Sequence, residues 1–413
     1  MKKVLIVSYY YPPRPSIASN RIGGLAKYLS YFGWEPTILT TKIQEGKWLP
    51  HIKVFETEGI LTNKNNSIPN YSNSNSIINK IFVYILNRIR MEYSAYPDNF
   101  RLWVPLAVDM GRRILKENQF SAIISSSAPV STHLIANSLC TNSSIPWIAD
   151  FRDLWTQNHN YPYSILRRFL ECKLEIETLK NAAGLVTVSE PLVDKMKLLH
   201  KNKRVYCITN GFDHEEICNH ECHSNKFIIT YTGQIYRGKQ DPILLFQALS
   251  ELFQEGLINR RKIEVRFFGP RSERLQNLIN KYALEKEVIQ YGIVSRDISL
   301  SKQRESTVLL LLNWNDCRER GIYTGKIFEY LAAKKPILAL GGGDGVVKEL
   351  LDSTQSGLQP SIKKEVKEII LRWYKQFIES KKIDYNGKMH EIEKYTHVCM
   401  AEKFANILNS ISQ

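Results

Sequence analysis

The stretch Gly321-Ile-Tyr-Thr-Gly-Lys326-Ile-Phe-Glu329-Tyr-Leu-Ala-Ala-Lys-Lys-Pro336-Ile-Leu-Ala-Leu340 places a lysine and a glutamate three residues apart at the start of an apolar-periodic segment. A loop that opens a helix offers backbone N–H groups without intrahelical acceptors, together with the positive end of the helix dipole, and both suit a phosphate. Lys326 adds a full charge there, and Glu329, about one turn on, can accept hydrogen bonds from ribose hydroxyls. Together they describe half of a nucleotide-sugar pocket, although a surface helix with Lys and Glu at i and i+3 carries the same letters. A second cluster, Asp150-Phe-Arg152-Asp153, follows a short apolar run and sets two carboxylates and a guanidinium at an expected strand end. Asp153 and Arg152 are the first candidates for catalytic or sugar-contacting groups there, with Asp150 as the alternate; a structural Asp-Arg pair fixing the loop is the competing reading. His133, beside Ser131 and Thr132 after Pro129, opens a helix near the same strand ends, where it could act in catalysis, cap or pack.

Two further groupings carry less. His214, Cys218, His220, Cys222 and His223 crowd together with Glu215, Glu216 and Glu221 between them, enough ligand chemistry for zinc but in no standard knuckle spacing, so a solvated loop is the expectation. Gly341-Gly342-Gly343-Asp344-Gly345 could cradle a phosphate or simply turn the chain. No Asp-x-Asp motif stands at a strand end, so no metal is expected.

The elements that must position these residues alternate regularly. Val4 to Ser8 reads as a buried strand. A Pro-containing loop then ends at Ser19 as N-cap, and Ile22, Leu25, Leu29 and Phe32 recur at helical spacing up to Gly33. Further strands are expected at Pro36–Thr41, Ala122–Ser125, Pro146–Asp150 and Gly184–Val188. A second series runs through Phe227–Tyr231, Ile263–Phe268, Val288–Tyr291, Val308–Leu312 and Pro336–Leu340, with a helix after Asp241 as N-cap and Pro242 as its first residue. Short apolar strands alternating with helices imply α/β architecture with parallel sheets covered on both faces, here in two doubly wound halves. The polar stretch from Asn210 to Asn225 is the expected hinge, and a crevice at the strand carboxyl ends is the expected ligand site. Residues 61–79, rich in Asn and Ser, read as a surface loop. Beyond them Ile77, Ile78, Ile81, Phe82, Ile85 and Ile89 form an apolar helical face flanked by Lys80, Arg88 and Arg90, which suits either a membrane surface or the core.

With 413 residues the chain has room for two or three domains, and 43% hydrophobic with 23% charged residues is the balance of a packed globular protein. Lys plus Arg exceed Asp plus Glu by 56 − 41 = 15, which predicts attraction to a phosphorylated substrate or anionic lipid. Nucleic acid is not the expected polyanion, since no zinc finger, RNA-binding sheet motif or Arg-aromatic stripe is present. Seven scattered cysteines do not form a secreted disulfide framework, so a reducing cytoplasm is expected. The opening Met1-Lys2-Lys3 and its apolar run lead into Tyr9-Tyr10-Tyr11-Pro12-Pro13 without a small-residue cleavage site, which favours a first strand over a secretory leader. No apolar run approaches the ~18 residues that a spanning helix needs, so any membrane contact would be peripheral. A dehydrogenase is disfavoured because Gly-x-Gly-x-x-Gly does not follow the first strand.

Four segments in order carry a resemblance over nearly the whole chain: Lys3-Val-Leu-Ile-Val-Ser-Tyr-Tyr-Tyr-Pro-Pro13 with Arg21; Pro146-Trp-Ile-Ala-Asp-Phe-Arg-Asp-Leu-Trp-Thr156; Thr209-Asn-Gly-Phe-Asp213; and Tyr231-Thr-Gly-Gln-Ile-Tyr-Arg-Gly-Lys239 with the Gly325-Lys326 to Pro336 stretch. In these the sequence resembles GT-B glycosyltransferases of the family 4 type, in particular the branch of bacterial surface-polysaccharide clusters. The resemblance implies two Rossmann-like domains facing across a cleft. Residues 1–209 would bind the acceptor and residues 210–395 the nucleotide-sugar donor, with a C-terminal helix at about 396–413 packing back on the first. It further implies that Lys239, Arg237 and Lys326 hold the donor diphosphate, that Tyr323, Thr324, Gly325 and Ile293 line the donor site, and that Glu329 binds ribose. Ser16, Arg21 and His133 become acceptor or loop contacts. The family's other paired glutamate falls where this chain has Gly321, with Glu319 or the backbone of Gly321 to Thr324 as replacements. The implied reaction is metal-independent transfer with retention, from a UDP-sugar or alternatively a GDP-sugar, to a glycan or lipid-linked saccharide, with no cofactor beyond the nucleotide sugar. An epimerase of the same fold, or a non-enzymatic basic binding protein, is the alternative.

Overall fold

The computed structural model describes residues 1–14, 16–43, 48–59, 92, 96–141, 143–161, 163–216 and 224–412. The Asn/Ser-rich stretch 61–79, the amphipathic face from Ile77 to Arg90, and Cys218, His220, Cys222 and His223 lie outside the described residues. The chain falls into two compact units, Met1–Thr209 with Met400–Gln413, and Asn210–Cys399.

Among the described residues, the first unit is built on parallel strands β1 (Lys2–Ser8), β2 (Trp34–Thr41), β3 (Lys53–Thr57), β4 (Ala122–Ser127), β5 (Trp147–Phe151), β6 (Gly184–Thr187) and β7 (Val205–Cys207), in the order β3-β2-β1-β4-β5-β6-β7. Its helices are α1 (Ile17–Leu29), α2 (Trp103–Glu117), α3 (Ser131–Thr141), α4 (Ile165–Leu179) and α5 (Glu190–Leu199). The second unit has β8 (Phe227–Thr232), β9 (Ile263–Phe268), β10 (Val288–Gly292), β11 (Val308–Leu312), β12 (Ile337–Leu340) and β13 (Gly357–Leu358), in the order β10-β9-β8-β11-β12-β13, again all parallel. Its helices are α6 (Ile243–Gln254), α7 (Glu273–Lys281), α8 (Arg296–Arg304), α9 (Gly325–Ala333), α10 (Val346–Thr354), α11 (Lys363–Ser380) and the short α12 (Met389–Ile392). The last helix, α13 (His397–Ile411), starts in this unit and joins the first from Met400 onward.

The sheet of the second unit shows why these sequences fold so. Alternate residues of a strand face opposite sides. Val308, Leu310 and Leu312 therefore pack among Leu245, Leu249, Ile279, Val366 and Ile370 of α6, α7 and α11. Leu309 and Leu311 point the other way, to Ile327, Leu331, Leu350 and Leu351 of α9 and α10. Both faces are covered, so the strand reads as an unbroken apolar run. This doubly wound α/β architecture is the one expected. Strands β3, β7 and β13 escape the sequence reading because they are sheet edges, short and only partly buried. Two caps also move: Ser16, not Ser19, caps α1, its Oγ accepting from the Ser19 N–H at 3.0 Å. Pro242 occupies the N-cap of α6, while the Asp241 carboxylate accepts from the Ile243 N–H at 2.8 Å.

One buried ion pair ties the first unit together. Asp150, at the carboxyl end of β5, accepts from Arg21 Nη2 at 2.7 Å on Oδ1, and from Arg21 Nε at 3.0 Å and Ser126 Oγ at 2.8 Å on Oδ2. The arginine also donates to the Ile208 and Thr209 carbonyls at 3.0 and 2.9 Å, touches Met400 Sδ at 3.7 Å and lies over the Phe404 ring at 5.4 Å. At 1% and 0% side-chain exposure, both groups are removed from solvent. The pair thus joins α1, the end of β5, the chain's exit from the unit and its return in α13.

Removing one partner strands the other charge in the interior, at roughly 3–5 kcal/mol. Asp150→Ala is therefore expected to lower the urea unfolding free energy of the first unit by that amount, and the double variant Arg21→Met/Asp150→Leu to recover part of it. A stability within about 1 kcal/mol of the parent for Asp150→Ala, measured by urea titration, would contradict the structural role.

Candidate functional site

In both sheets the strand order reverses beside the first strand, between β1 and β4 and between β8 and β11. Loops leaving adjacent strands diverge there, and ligands of open α/β sheets bind outside the carboxyl ends at that point. In the second unit the loops after β8 and β11 are joined to each other. Gln240 Nε2 donates to the Leu312 carbonyl at 2.6 Å, the Asn315 N–H donates to the Lys239 carbonyl at 3.0 Å, and the rings of Tyr236 and Trp314 lie 5.4 Å apart.

Helix α9 starts beside these loops. Thr324 takes its N-cap in an extended conformation but makes no side-chain cap, and its Oγ1 is buried without a hydrogen-bond partner among the described residues. The half-buried Lys326 lies across the end of β8, its Nζ 5.3 Å from the centre of the Tyr231 ring. Gly233 makes room for it: a β-carbon there would collide with Lys326 Cε and stand 3.0 Å from Nζ, and its φ of +108° is one that other residues rarely adopt. Gly269 at the end of β9 is equally constrained, since a β-carbon would strike the Gly233 carbonyl. Among the described residues no carboxylate comes within ion-pair distance of Lys326 Nζ. Burial accordingly lowers the lysine's pKa, with the charge of Glu329 opposing the shift. An ammonium without a partner, set beside an uncapped helix N-terminus, is the chemistry of an anion site.

Glu329 is held from two sides. Its Oε2 accepts from Gln303 Nε2 at 3.1 Å, and its Oε1 stands 3.7 Å from Arg296 Nε. Arg296 in turn donates through Nη2 to Glu216 Oε1 at 2.7 Å. Burial pushes the Glu216 carboxyl above its usual range, although Arg296 pulls the other way. For Arg296 itself burial acts downward, but Glu216 and Glu329 outweigh it and raise its pKa. Gln303 is fully buried and also donates to Thr232 Oγ1 at 3.1 Å, so it anchors Glu329 to the end of β8. Arg296, Gln303 and Glu216 were absent from the sequence-derived site. Their partners are far along the chain, and only Glu216 stood in a segment with any recognisable chemistry.

The other expected donor residues are distributed as follows. Tyr323 packs its ring 5.5 Å from Phe328, just ahead of Thr324 and Gly325. Lys239 Nζ sits 3.7 Å above the Trp314 ring, and Arg237 is exposed in the same loop. Ile293 is exposed directly after β10. The glycine loop 341–345 is braced, with the Gly342 N–H donating to Asn315 Oδ1 at 3.2 Å and Gln359 Nε2 reaching the Gly341 and Gly343 carbonyls at 3.0 and 2.7 Å.

In the first unit the structure separates the expected acceptor residues. Asp150, the alternate catalytic candidate, and Arg21, expected as an acceptor or loop contact, bind each other in the interior. Ser16 uses its hydroxyl as the α1 cap. His133 is fully buried, with Nδ1 2.7 Å from Ser125 Oγ and its ring 4.2 Å from that of Phe151. Burial pulls its pKa down to about 3 against the charge of Asp150, so the imidazole is neutral at ordinary pH. The group that does reach solvent is Asp153. Beside it, Arg152 is pinned by donating to the Ser127 and Ala128 carbonyls at 2.9 and 3.3 Å, and burial lowers its pKa while Asp153 and Asp150 act to raise it. Among the described residues no group of three or more His, Cys, Asp or Glu side chains is arranged to hold a metal ion, and no helix is long and apolar enough to cross a membrane.

The sequence matches no protein-family description and no curated protein. Its fold, however, is shared by solved structures. A structure of Anabaena Alr3699/HepE in complex with UDP and glucose superposes with a TM-score of 0.63 at 13% identity, covering 99% of this chain and 100% of that one. Sucrose-phosphate synthase from Thermosynechococcus elongatus gives 0.65 at 12% over 100% and 99%, and a glycosyltransferase from Rickettsia africae gives 0.62 at 18% over 99% and 98%. The chain has the GT-B fold.

A lysine whose pKa burial lowers in the fold, as for Lys326, costs stability while it is charged. That cost is complete below the folded-state pKa and vanishes as the pH rises through it toward the unfolded value of 10.5. Lys326→Met should therefore be more stable than the parent at pH 7, by about 0.5–2 kcal/mol, with the gap narrowing toward pH 10.5. Urea titrations at the two pH values test this, and a loss of stability at pH 7 would mean that the ammonium already has a partner in the protein.

Proposed function

We propose that this protein is a glycosyltransferase that moves a sugar, with retention of anomeric configuration, from a nucleoside-diphosphate sugar to a glycan or lipid-linked saccharide in the assembly of bacterial surface polysaccharide. The observation that carries the reading is Lys326, without an ion-pair partner among the described residues, at the uncapped start of α9 one turn before Glu329. In this reading the donor diphosphate lies against the α9 N-terminus, with Lys326 on its oxygens and Lys239 and Arg237 contributing from the loop after β8. The ribose hydroxyls donate to the Glu329 carboxylate, whose orientation Gln303 and Arg296 set. As the bond from the anomeric carbon to the diphosphate breaks, negative charge grows on the leaving group. Lys326 and the helix N-terminus, already in place, stabilise it without reorganisation. That source of positive charge supports a metal-independent reaction. The acceptor hydroxyl attacks on the face from which the diphosphate leaves, which gives retention, and Asp153 with Arg152 orients the acceptor. A UDP-sugar is preferred to a GDP-sugar as donor, a preference supported by the UDP in Alr3699/HepE, and the site of action is the cytoplasmic face of the membrane.

The test is a thermal-shift series against UDP, GDP, ADP, CMP and TDP, with and without Mg²⁺. UDP is expected to raise the unfolding midpoint independently of the metal, and Lys326→Ala and Glu329→Ala to lose the shift. No shift with any nucleotide would defeat the donor site. Inverted anomeric configuration in the product NMR spectrum would defeat the retaining mechanism, and turnover of the nucleotide sugar without any acceptor would favour an epimerase.

A further inference from the structure

Helix α4 is inside out. Its buried positions are Arg167, Glu171, Glu175 and Thr178, spaced to form one helical face, with Leu179 buried at its last residue. Its outward face carries Ile165, Leu166, Phe169 and Leu170, which are 90, 67, 55 and 47% exposed, with Ile176 further along. A surface helix ordinarily has the reverse arrangement.

The buried half has a visible purpose. Arg167 donates through Nε to Glu171 Oε1 at 2.6 Å and through Nη2 to the Pro97 carbonyl at 3.1 Å. The other oxygen of Glu171 accepts from Trp155 Nε1 at 3.0 Å. Glu175 accepts from the Thr156 N–H at 3.0 Å and lies 3.2 Å from His200 Nε2. The inward face thus anchors the loop after β5, which holds Arg152 and Asp153, and every buried charge on it is matched. Among the described residues nothing equivalent accounts for the outward face.

We propose that this outward face of α4 docks on an anionic lipid surface. Between Ile165 and Lys173 the exposed charges are Arg168 and Lys173, while Glu171 is buried. Lys173 Nζ lies over the Phe169 ring, 4.4 Å from its centre, so a basic group stands directly against the apolar patch. Apolar side chains that enter the acyl boundary, with basic groups at headgroup level, are the design of a helix lying in the membrane plane. The chain's excess of 15 positive charges draws the protein the same way. A two-fold contact with a second copy would instead set Arg168 and Lys173 against their own kind on a like-charged surface. The inference gives a surface to the membrane location in the proposed function, and it does not depend on the donor site.

The test is flotation of the full chain with mixed phosphatidylcholine–phosphatidylglycerol vesicles at low and high salt. The parent should float at low salt and much less at high salt. Leu166→Asp/Phe169→Asp should lose about tenfold or more in vesicle partition, and Arg168→Glu/Lys173→Glu should lose the salt-sensitive part. The conservative Leu166→Ile/Phe169→Leu should float as the parent does. All three variants should keep the parent's unfolding midpoint and its response to UDP, which separates docking from folding and from nucleotide binding. A parent that does not float overturns membrane contact altogether. Equal flotation of the aspartate variant, or its loss only in Ile81→Asp/Ile85→Asp, overturns this face as the docking element. So does a parent dimer that the aspartate variant converts to monomer by light scattering, because the face would then be a contact between copies.

Discussion

Every strand of a parallel sheet runs the same way, so all carboxyl ends and the loops that leave them share one edge. That constraint organises the chemistry of both units. In the second it brings the loops after β8 and β11 side by side where the strand order reverses, and lays Lys326 across the glycine that ends β8. It also brings Arg296, after β10, within reach of Glu329, after β11, and Glu216, from the segment ahead of β8, closes the chain of contacts on Arg296. In the first unit the same edge holds Asp150, Arg152 and Asp153 at the end of β5.

Two cations removed from bulk water show what pairing decides. Arg21 has its guanidinium filled by a carboxylate and two carbonyls, and nothing is left over for a ligand. Lys326 has an aromatic face on one side and no ion-pair partner among the described residues, so its charge remains unsatisfied in the fold. The first arrangement is what a structural ion pair requires, because a buried charge is tolerable when matched. The second carries a cost in stability that binding an anion would relieve. His133 completes the comparison: buried without a counter-charge in contact, it gives up its proton and stays neutral.

Helix α4 connects the two levels of the first unit. Its polar residues turn inward because the loop from Arg152 to Thr156 presents a Trp N–H, a backbone N–H and a hydroxyl that need acceptors in the interior. Once Glu171 and Glu175 are committed to that task, helical geometry leaves Ile165, Leu166, Phe169 and Leu170 outside. The exposed patch and the order of the loop have one cause.

The amino-acid sequence by itself determined the two sheets, because strands buried on both faces read as short unbroken apolar runs such as Val308 to Leu312. It also determined the Lys326–Glu329 spacing at the start of α9, a relation contained within one helical turn. Tertiary structure alone decided the edge strands β3, β7 and β13, whose half-exposed residues carry no strong period, and the partners of the charged groups. Arg21 and Asp150 lie 129 residues apart, and Gln303 and Glu329 lie 26 apart. The sequence shows that such groups exist, but which of them meet depends on the order in which strands assemble and on the loops those strands bring to a common edge. The sense of α4 was hidden for the same reason. Its periodicity marks two faces, and only the unsatisfied donors of a distant loop determine which face turns inward.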